Sequence, residues 1–220
     1  MIIIDVGAGS GDRCLKWLQK HKDAIVYALE PDPRQYAKLE AMSKAIPRDQ
    51  QTRLKVFNTA VWSFNGNIPF YVCNDTSSSS ALPFVPENIS KWKYPPARQH
   101  FKTIETITVP CITLEQLIKN EQIDVIDYLR IDAQGCAMHI LNGLSGNRFR
   151  YIKEIYVKVN TTQFEIYRGQ APMKDIKDKL KKSFFNVKEA EPYSLQQECW
   201  LRFVSEVWEK SRGAKIYGLD

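Results

Sequence analysis

The stretch that most constrains this chain is IIIDVGAGSGD, residues 2–12. Ile2, Ile3, Ile4 and Val6 make a β-branched run suited to a parallel strand covered on both faces. Gly7, Gly9 and Gly11 follow at alternate positions, where the absence of Cβ atoms lets the backbone turn tightly and approach a ligand. Behind them, DRCLKWLQKHK sets Leu15, Trp17 and Leu18 at helical spacing, so the glycine loop opens a helix with its N-terminal N–H groups turned outward. A strand, a glycine loop and a helix together form a cradle for a nucleotide-like ligand.

Spacing separates two classes of ligand. A dinucleotide site asks for G-x-G-x-x-G, but the third glycine here comes one residue early and Asp12 stands in its place. G-x-G-x-G after an acidic residue suits S-adenosylmethionine better, because that molecule has no pyrophosphate and turns an amino acid tail to the loop. Glu30 ends the next strand-like run, AIVYALE, where a carboxylate can accept hydrogen bonds from both ribose hydroxyls. The alternative for Glu30 is a surface acid that caps the helix after Pro31. Asn58 and Ala60, in NTAV, fall where an adenine would lie.

Strand and helix patterns alternate along the chain, the signature of a mostly parallel sheet with helices on both faces. The expected fold is a Rossmann-like α/β methyltransferase sheet of seven strands, ordered 3-2-1-4-5-7-6 with the last strand antiparallel. RLKVFNTAVW is read as one strand running through Ala60, VIDYLRID as the fourth strand, YIKEIYVKV as the fifth, and FFNVKEAE with CWLRFVSEVW as the closing pair. One domain spans residues 1–220, with residues 74–104 as an irregular loop on the acceptor side.

The chain carries 31 Lys and Arg against 25 Asp and Glu, a net charge of +6 that is too diffuse to name an anionic partner. The basic run KDIKDKLKK holds interspersed acids and reads as a solvated helix face, so nucleic acid is an unfavoured partner. Five cysteines without a C-x-x-C pair fit reduced thiols in a cytoplasmic protein. No apolar run reaches membrane-spanning length, and the abrupt start reads as a minimal catalytic domain or one cut from a longer chain.

Asp132 ends the fourth strand beside the first, across the point where strand order reverses. From there a carboxylate could act as a base, orient a hydroxyl or bind a divalent ion, and the alternative is an N-cap for a helix beginning near Gln134.

DVGAGSGD, VYALEPDP, NTAV, SSSSAL, CITLEQLI and IDYLRIDAQGCAMHILNGL together resemble the FkbM-type methyltransferases, from residue 2 to about residue 160. The resemblance implies an S-adenosylmethionine-dependent enzyme that methylates hydroxyls of sugars, glycans or natural products, with cofactor contacts at Asp5, Gly7, Gly9, Glu30, Asn58 and Asp132. Family members usually carry K-I-D-x-E-G where this chain has RIDAQG, so Gln134 replaces an acid, and Lys158 stands where a glutamate is common.

KWKYPPARQHFK interleaves Trp92 and Tyr94 with cationic residues and His100, a pattern suited to stacking on a pyranose or on an unstacked base. Trp92, Tyr94, Ser79 and Ser80 are therefore the expected acceptor contacts, and Asp132 and His100 the expected catalytic residues. His139, between Met138 and Ile140, reads as a core histidine. The sequence supports a sugar O-methyltransferase first. An RNA methyltransferase comes second, on basic balance, and a non-catalytic binding module third, on Gln134 and Lys158.

Overall fold

The computed structural model describes residues 1–91, 101–193 and 197–211. In chain order it runs β1 (Ile2–Val6), α1 (Asp12–Lys20), β2 (Ile25–Leu29), α2 (Pro33–Ala45), α3 (Arg48–Gln51), β3 (Leu54–Phe57), β4 (Ala60–Val61), β5 (Gly66–Cys73), α4 (Pro86–Ile89) and β6 (Thr103–Ile112). It continues with α5 (Leu114–Asn120), β7 (Ile126–Ile131), α6 (Ala137–Asn142), β8 (Ile152–Asn160), α7 (Met173–Lys182), β9 (Phe185–Tyr193), β10 (Glu198–Ser205) and α8 (Glu206–Ser211).

Seven strands form the main sheet in the order β3-β2-β1-β7-β8-β10-β9. Counted within that sheet alone, this is the expected 3-2-1-4-5-7-6. β1 pairs in parallel with β2 and β7, and β7 with β8, whereas β10 runs antiparallel to both β8 and β9. Ile3, Ile4, Val26, Leu29, Leu129 and Ile131 are buried, as strands covered on both faces require. On one face α1 and α2 pack Cys14, Trp17, Leu18 and Leu39 against Ile3, Val26 and Tyr128. On the other, Ile140 of α6 and Ile176 and Leu180 of α7 join Ile155, Val157, Leu201 and Phe203. All five cysteines are buried and free of disulfides. Among the described residues no helix is long and apolar enough to cross a membrane.

Two strand assignments and one loop boundary differ from the sequence reading. RLKVFNTAVW is not one strand: β3 stops at Phe57, whose carbonyl accepts the Glu30 N–H at 3.0 Å, and β2 offers nothing further to pair with. Ala60 and Val61 turn away to pair with Cys111 and Ile112 in a separate three-stranded sheet, β4-β6-β5. The irregular segment ends sooner than expected, because β6 begins at Thr103 and pairs antiparallel with β5. The last strand also stops at Ser205, and VWEKS turns into α8.

Candidate active site

Parallel strands β1, β2, β7 and β8 end on one edge of the sheet, and at that edge lies a cavity of about 500 Å3. Gly7, Gly9, Glu30, Ser80, Asp132 and Glu198 are among its lining residues.

The glycine loop shapes its floor. Gly7 and Ala8 both donate their N–H to the Leu29 carbonyl, at 2.9 and 3.1 Å, which ties the loop to the end of β2. At Gly7, with φ +81°, a Cβ would stand 2.0 Å from the Asp132 carbonyl oxygen, so the turn after β1 and the turn after β7 can meet only through a glycine. At Gly9, with φ +59°, a Cβ would meet no protein atom within 4 Å. The space above Gly9 belongs to the cavity. Gly11 works differently: it is buried, does not line the cavity, and a Cβ there would strike Met42 and Leu39 of α2.

Glu30 is 6% exposed, and its two carboxylate oxygens accept the N–H groups of Gly9 and Asp32, each at 2.8 Å. Burial pushes its carboxyl up to about 7, against the partial relief of those two N–H groups. It does not cap α2. That cap is Asp32, which accepts the Arg34 N–H at 3.0 Å, holds the Arg34 guanidinium at 2.7 Å and is itself buried.

A chain of alternating charges runs across the strand ends. Asp5, fully buried, accepts a hydrogen bond from Arg130 at 2.9 Å and a weaker one from the Cys14 thiol. Arg130 gives its other terminal nitrogen to Asp132 at 2.7 Å, and Lys158 holds the second Asp132 oxygen at 2.8 Å. Glu198 lies 3.8 Å beyond Lys158. Burial raises the Asp132 carboxyl, but Lys158 and then Arg130 outweigh it and leave the group below the usual carboxylate range. Burial likewise lowers Lys158, and Asp132 with Glu198 more than offsets this, so the ammonium is held charged. For Asp5 burial wins over Arg130, and its carboxyl is raised. Asp132 is not a helix cap, because α6 begins at Ala137 after Cys136. Between them, Gln134 adopts a left-handed φ of +41°, a strained conformation for a residue with a side chain.

The serine run forms a strap over the cavity. Ser79 Oγ donates to Asp32 at 2.8 Å and accepts the Cys73 N–H at 3.0 Å, which fastens one end to α2. Ser80 Oγ donates to the Gln134 carbonyl at 2.7 Å, which fastens the other end to the turn after β7. The Tyr167 hydroxyl donates to the Ser78 carbonyl at 3.1 Å. The hydroxyls of Ser79 and Ser80 thus hold the protein to itself.

Among the other expected residues, Ala60 lines the cavity, whereas Asp5 lies beneath it and Asn58 is exposed and outside its lining. Trp92, Tyr94 and His100 lie outside the described residues. His139 stacks on Trp62 with ring centroids 4.0 Å apart, as a packed histidine. Among the described residues no group of His, Cys, Asp and Glu comes together to hold a metal ion. Sequence reading missed the roles of Arg130, Tyr167 and Glu198. Arg130 was findable, since an arginine inside the apolar strand IDYLRI shares a face with Asp132 two residues on. Glu198 sits in an unremarkable sequence and is brought to the cavity only by the final hairpin.

A profile of the methyltransferase FkbM domain matches residues 5–189. This chain belongs to the FkbM methyltransferase family. The 2-O-methyltransferase NoeI of Sinorhizobium fredii is 26% identical in an alignment 188 residues long that covers 81% of this chain and 70% of that protein. Among solved structures, methyltransferase FkbM from Methylobacillus flagellatus KT superposes with a TM-score of 0.59 at 12% identity, over 91% of this chain. This chain spans 42% of that one's length. M. capricolum TrmK, solved with its cofactor product S-adenosyl-homocysteine, gives 0.51 at 13% identity, over 94% of this chain and 62% of its own. At such identities these two structures speak for the fold.

Proposed function

We propose that this FkbM-family methyltransferase moves the methyl group of S-adenosylmethionine to a hydroxyl oxygen, and that the hydroxyl belongs to a sugar. The observation that carries the reading is the open space above Gly9 beside the buried carboxylate of Glu30, in the same cavity as Asp132. These residues fit the cofactor. The glycine loop leaves room where a side chain would intrude, and Glu30 offers acceptor oxygens to ribose hydroxyls. When bound, S-adenosylmethionine supplies an electrophilic methyl group on a sulfonium. Ala60, with Thr59 and Val61 beside it in the lining, would lie against the adenine. Asp132, held ionised by Arg130 and Lys158, places fixed negative charge near the reacting centre and can orient a hydroxyl. With both its oxygens already bonded to cations, it is a poor proton acceptor. Catalysis then rests chiefly on positioning the acceptor oxygen in line with the methyl group.

The sugar assignment is supported by the 2-O-methyltransferase relative and by the hydroxyl chemistry of the family resemblance. The test is twofold. Calorimetry with S-adenosylhomocysteine should show binding, with none for NAD. Transfer of labelled methyl from S-adenosylmethionine should then occur to at least one member of a panel of methyl pyranosides. Binding of NAD in place of S-adenosylhomocysteine would overturn the cofactor assignment, and methylation of RNA but of no pyranoside would overturn the acceptor.

A further inference from the structure

We propose that Glu198, and not Asp132, is the carboxylate that takes the proton from the acceptor hydroxyl. The inference rests on the hydroxyl-acceptor reading above and adds the residue that completes its chemistry.

Asp132 and Glu198 line the cavity on either side of Lys158, and their surroundings differ. Asp132 bonds Arg130 through one oxygen and Lys158 through the other, with Gln134 Nε2 at 3.4 Å besides. A proton arriving there would have to compete with two cations at hydrogen-bonding distance. Glu198 opens β10 at the same sheet edge, opposite Asn160 of β8 and Tyr193 of β9. Its side chain is 17% exposed and lines the cavity. Among the described residues its one charged neighbour in contact is Lys158, at 3.8 Å, and neither of its oxygens accepts a hydrogen bond. It therefore keeps free acceptor positions that Asp132 has spent.

Lys158 stands between the two acids and links them. Its tight partner is Asp132, so it orients that carboxylate while only grazing Glu198. The groups that face Glu198 are Lys158 from β8, Tyr193 from β9 and, farther off, the buried Tyr167, whose hydroxyl is raised by burial and then by the charge of Glu198. Among the described residues this leaves Glu198 as the carboxylate beside Lys158 whose oxygens stay open to a hydroxyl from the cavity. As the acceptor oxygen takes the methyl group and the sulfur–methyl bond breaks, the hydroxyl proton passes to a Glu198 oxygen. Neutral thioether, methyl ether and protonated Glu198 result, and the proton then leaves to water.

The experiment compares wild type, Glu198→Gln and Glu198→Asp on a panel of methyl pyranosides, with thermal melts to verify folding. Binding of the same pyranosides to the S-adenosylhomocysteine-loaded protein is measured by calorimetry. The expected result is a fall in kcat of about 10²-fold or more for Glu198→Gln, the ordinary reach of a general base, with pyranoside affinity kept within a few fold. Wild-type kcat should decline on the acid side, that limb should vanish in Glu198→Gln, and Glu198→Asp should recover part of the rate. If Glu198→Gln folds and turns over within threefold of wild type, or if its acid limb persists, Glu198 is not the base. Should Glu198→Gln fail to fold, a Glu198→Asp variant with the wild-type rate and no change in its acid limb overturns the assignment equally. Wild type that methylates no pyranoside overturns the sugar reading and this inference with it, a result distinct from the first two.

Discussion

Lys158 and Asp132 meet across β8 and β7 with 2.8 Å between ammonium and carboxylate, and Arg130 closes on the opposite oxygen at 2.7 Å. An aspartate that ends a strand at this sheet edge invites assignment as a base. Here it is the central anion of a buried array, and its value lies in staying ionised.

Removing one cation should expose that dependence. Lys158→Met should cost about 3 kcal/mol in urea denaturation, the low end for breaking a buried pair, because Asp132 retains Arg130 and some solvent contact. The double variant Lys158→Met with Asp132→Asn should lose less than the two single losses added together, and an additive result would show that the pair is not coupled.

Glu30 makes stability and ligand binding pull in opposite directions as pH changes. Its carboxyl ordinarily titrates at 4.5 and is pushed to about 7 by burial. Between those values the folded state holds more protons than the unfolded chain, so this group's contribution to stability falls as pH rises through that window and levels off above it. The total is about 3 kcal/mol for a shift of this size. Glu30→Gln should flatten that part of the wild-type stability profile, at the cost of one of the two N–H groups that the carboxylate accepts, since an amide has a single acceptor oxygen. It should also weaken S-adenosylhomocysteine binding by about 1.5–3 kcal/mol, because charge-assisted bonds to the ribose are lost. Equal stability profiles for the two proteins would refute the first half, and equal calorimetric affinities the second.

Gly7→Ala and Gly9→Ala should fail for different reasons. At Gly7 the new methyl runs into the backbone of Asp132, so melting temperature should drop sharply along with all binding. At Gly9 it meets nothing in the protein, so the cost is the left-handed backbone, about 1–2 kcal/mol, while ligand affinity collapses because the methyl enters the cavity. Melting curves set beside S-adenosylhomocysteine titrations separate the two cases.

Ser79→Ala should act on the fold and leave acceptor KM unchanged. It strips a partner from buried Asp32 and leaves the Cys73 N–H unpaired, a loss of about 1–3 kcal/mol. A raised acceptor KM with an unchanged melting temperature would return Ser79 to acceptor recognition.

The sheet order was legible because each strand announces itself through its own apolar residues, and the glycine loop and Glu30 because ligand and backbone demands coincide there. The break between Phe57 and Ala60 was not legible. NTAV continues a β-favouring run, and only the distant Cys111–Ile112 pair draws it into a second sheet. The serine hydroxyls read as recognition groups because nothing local reveals their partners, Asp32 and Gln134, which are brought near by tertiary packing. Glu198 was invisible for the same reason. A lone acid gains meaning only when a hairpin delivers it to the edge where Asp132 and Lys158 already stand.

The alternation of Asp5, Arg130, Asp132, Lys158 and Glu198 also limits how this protein can change through descent. A single replacement inside the array strands a buried charge, so a lineage that alters one member must soon alter its neighbour. Among homologues, replacements at positions 130 and 158 should therefore leave at least one cation against the carboxylate of position 132, even where the surrounding strands have drifted freely. An Asp132 paired with neutral residues at both 130 and 158 should be rare.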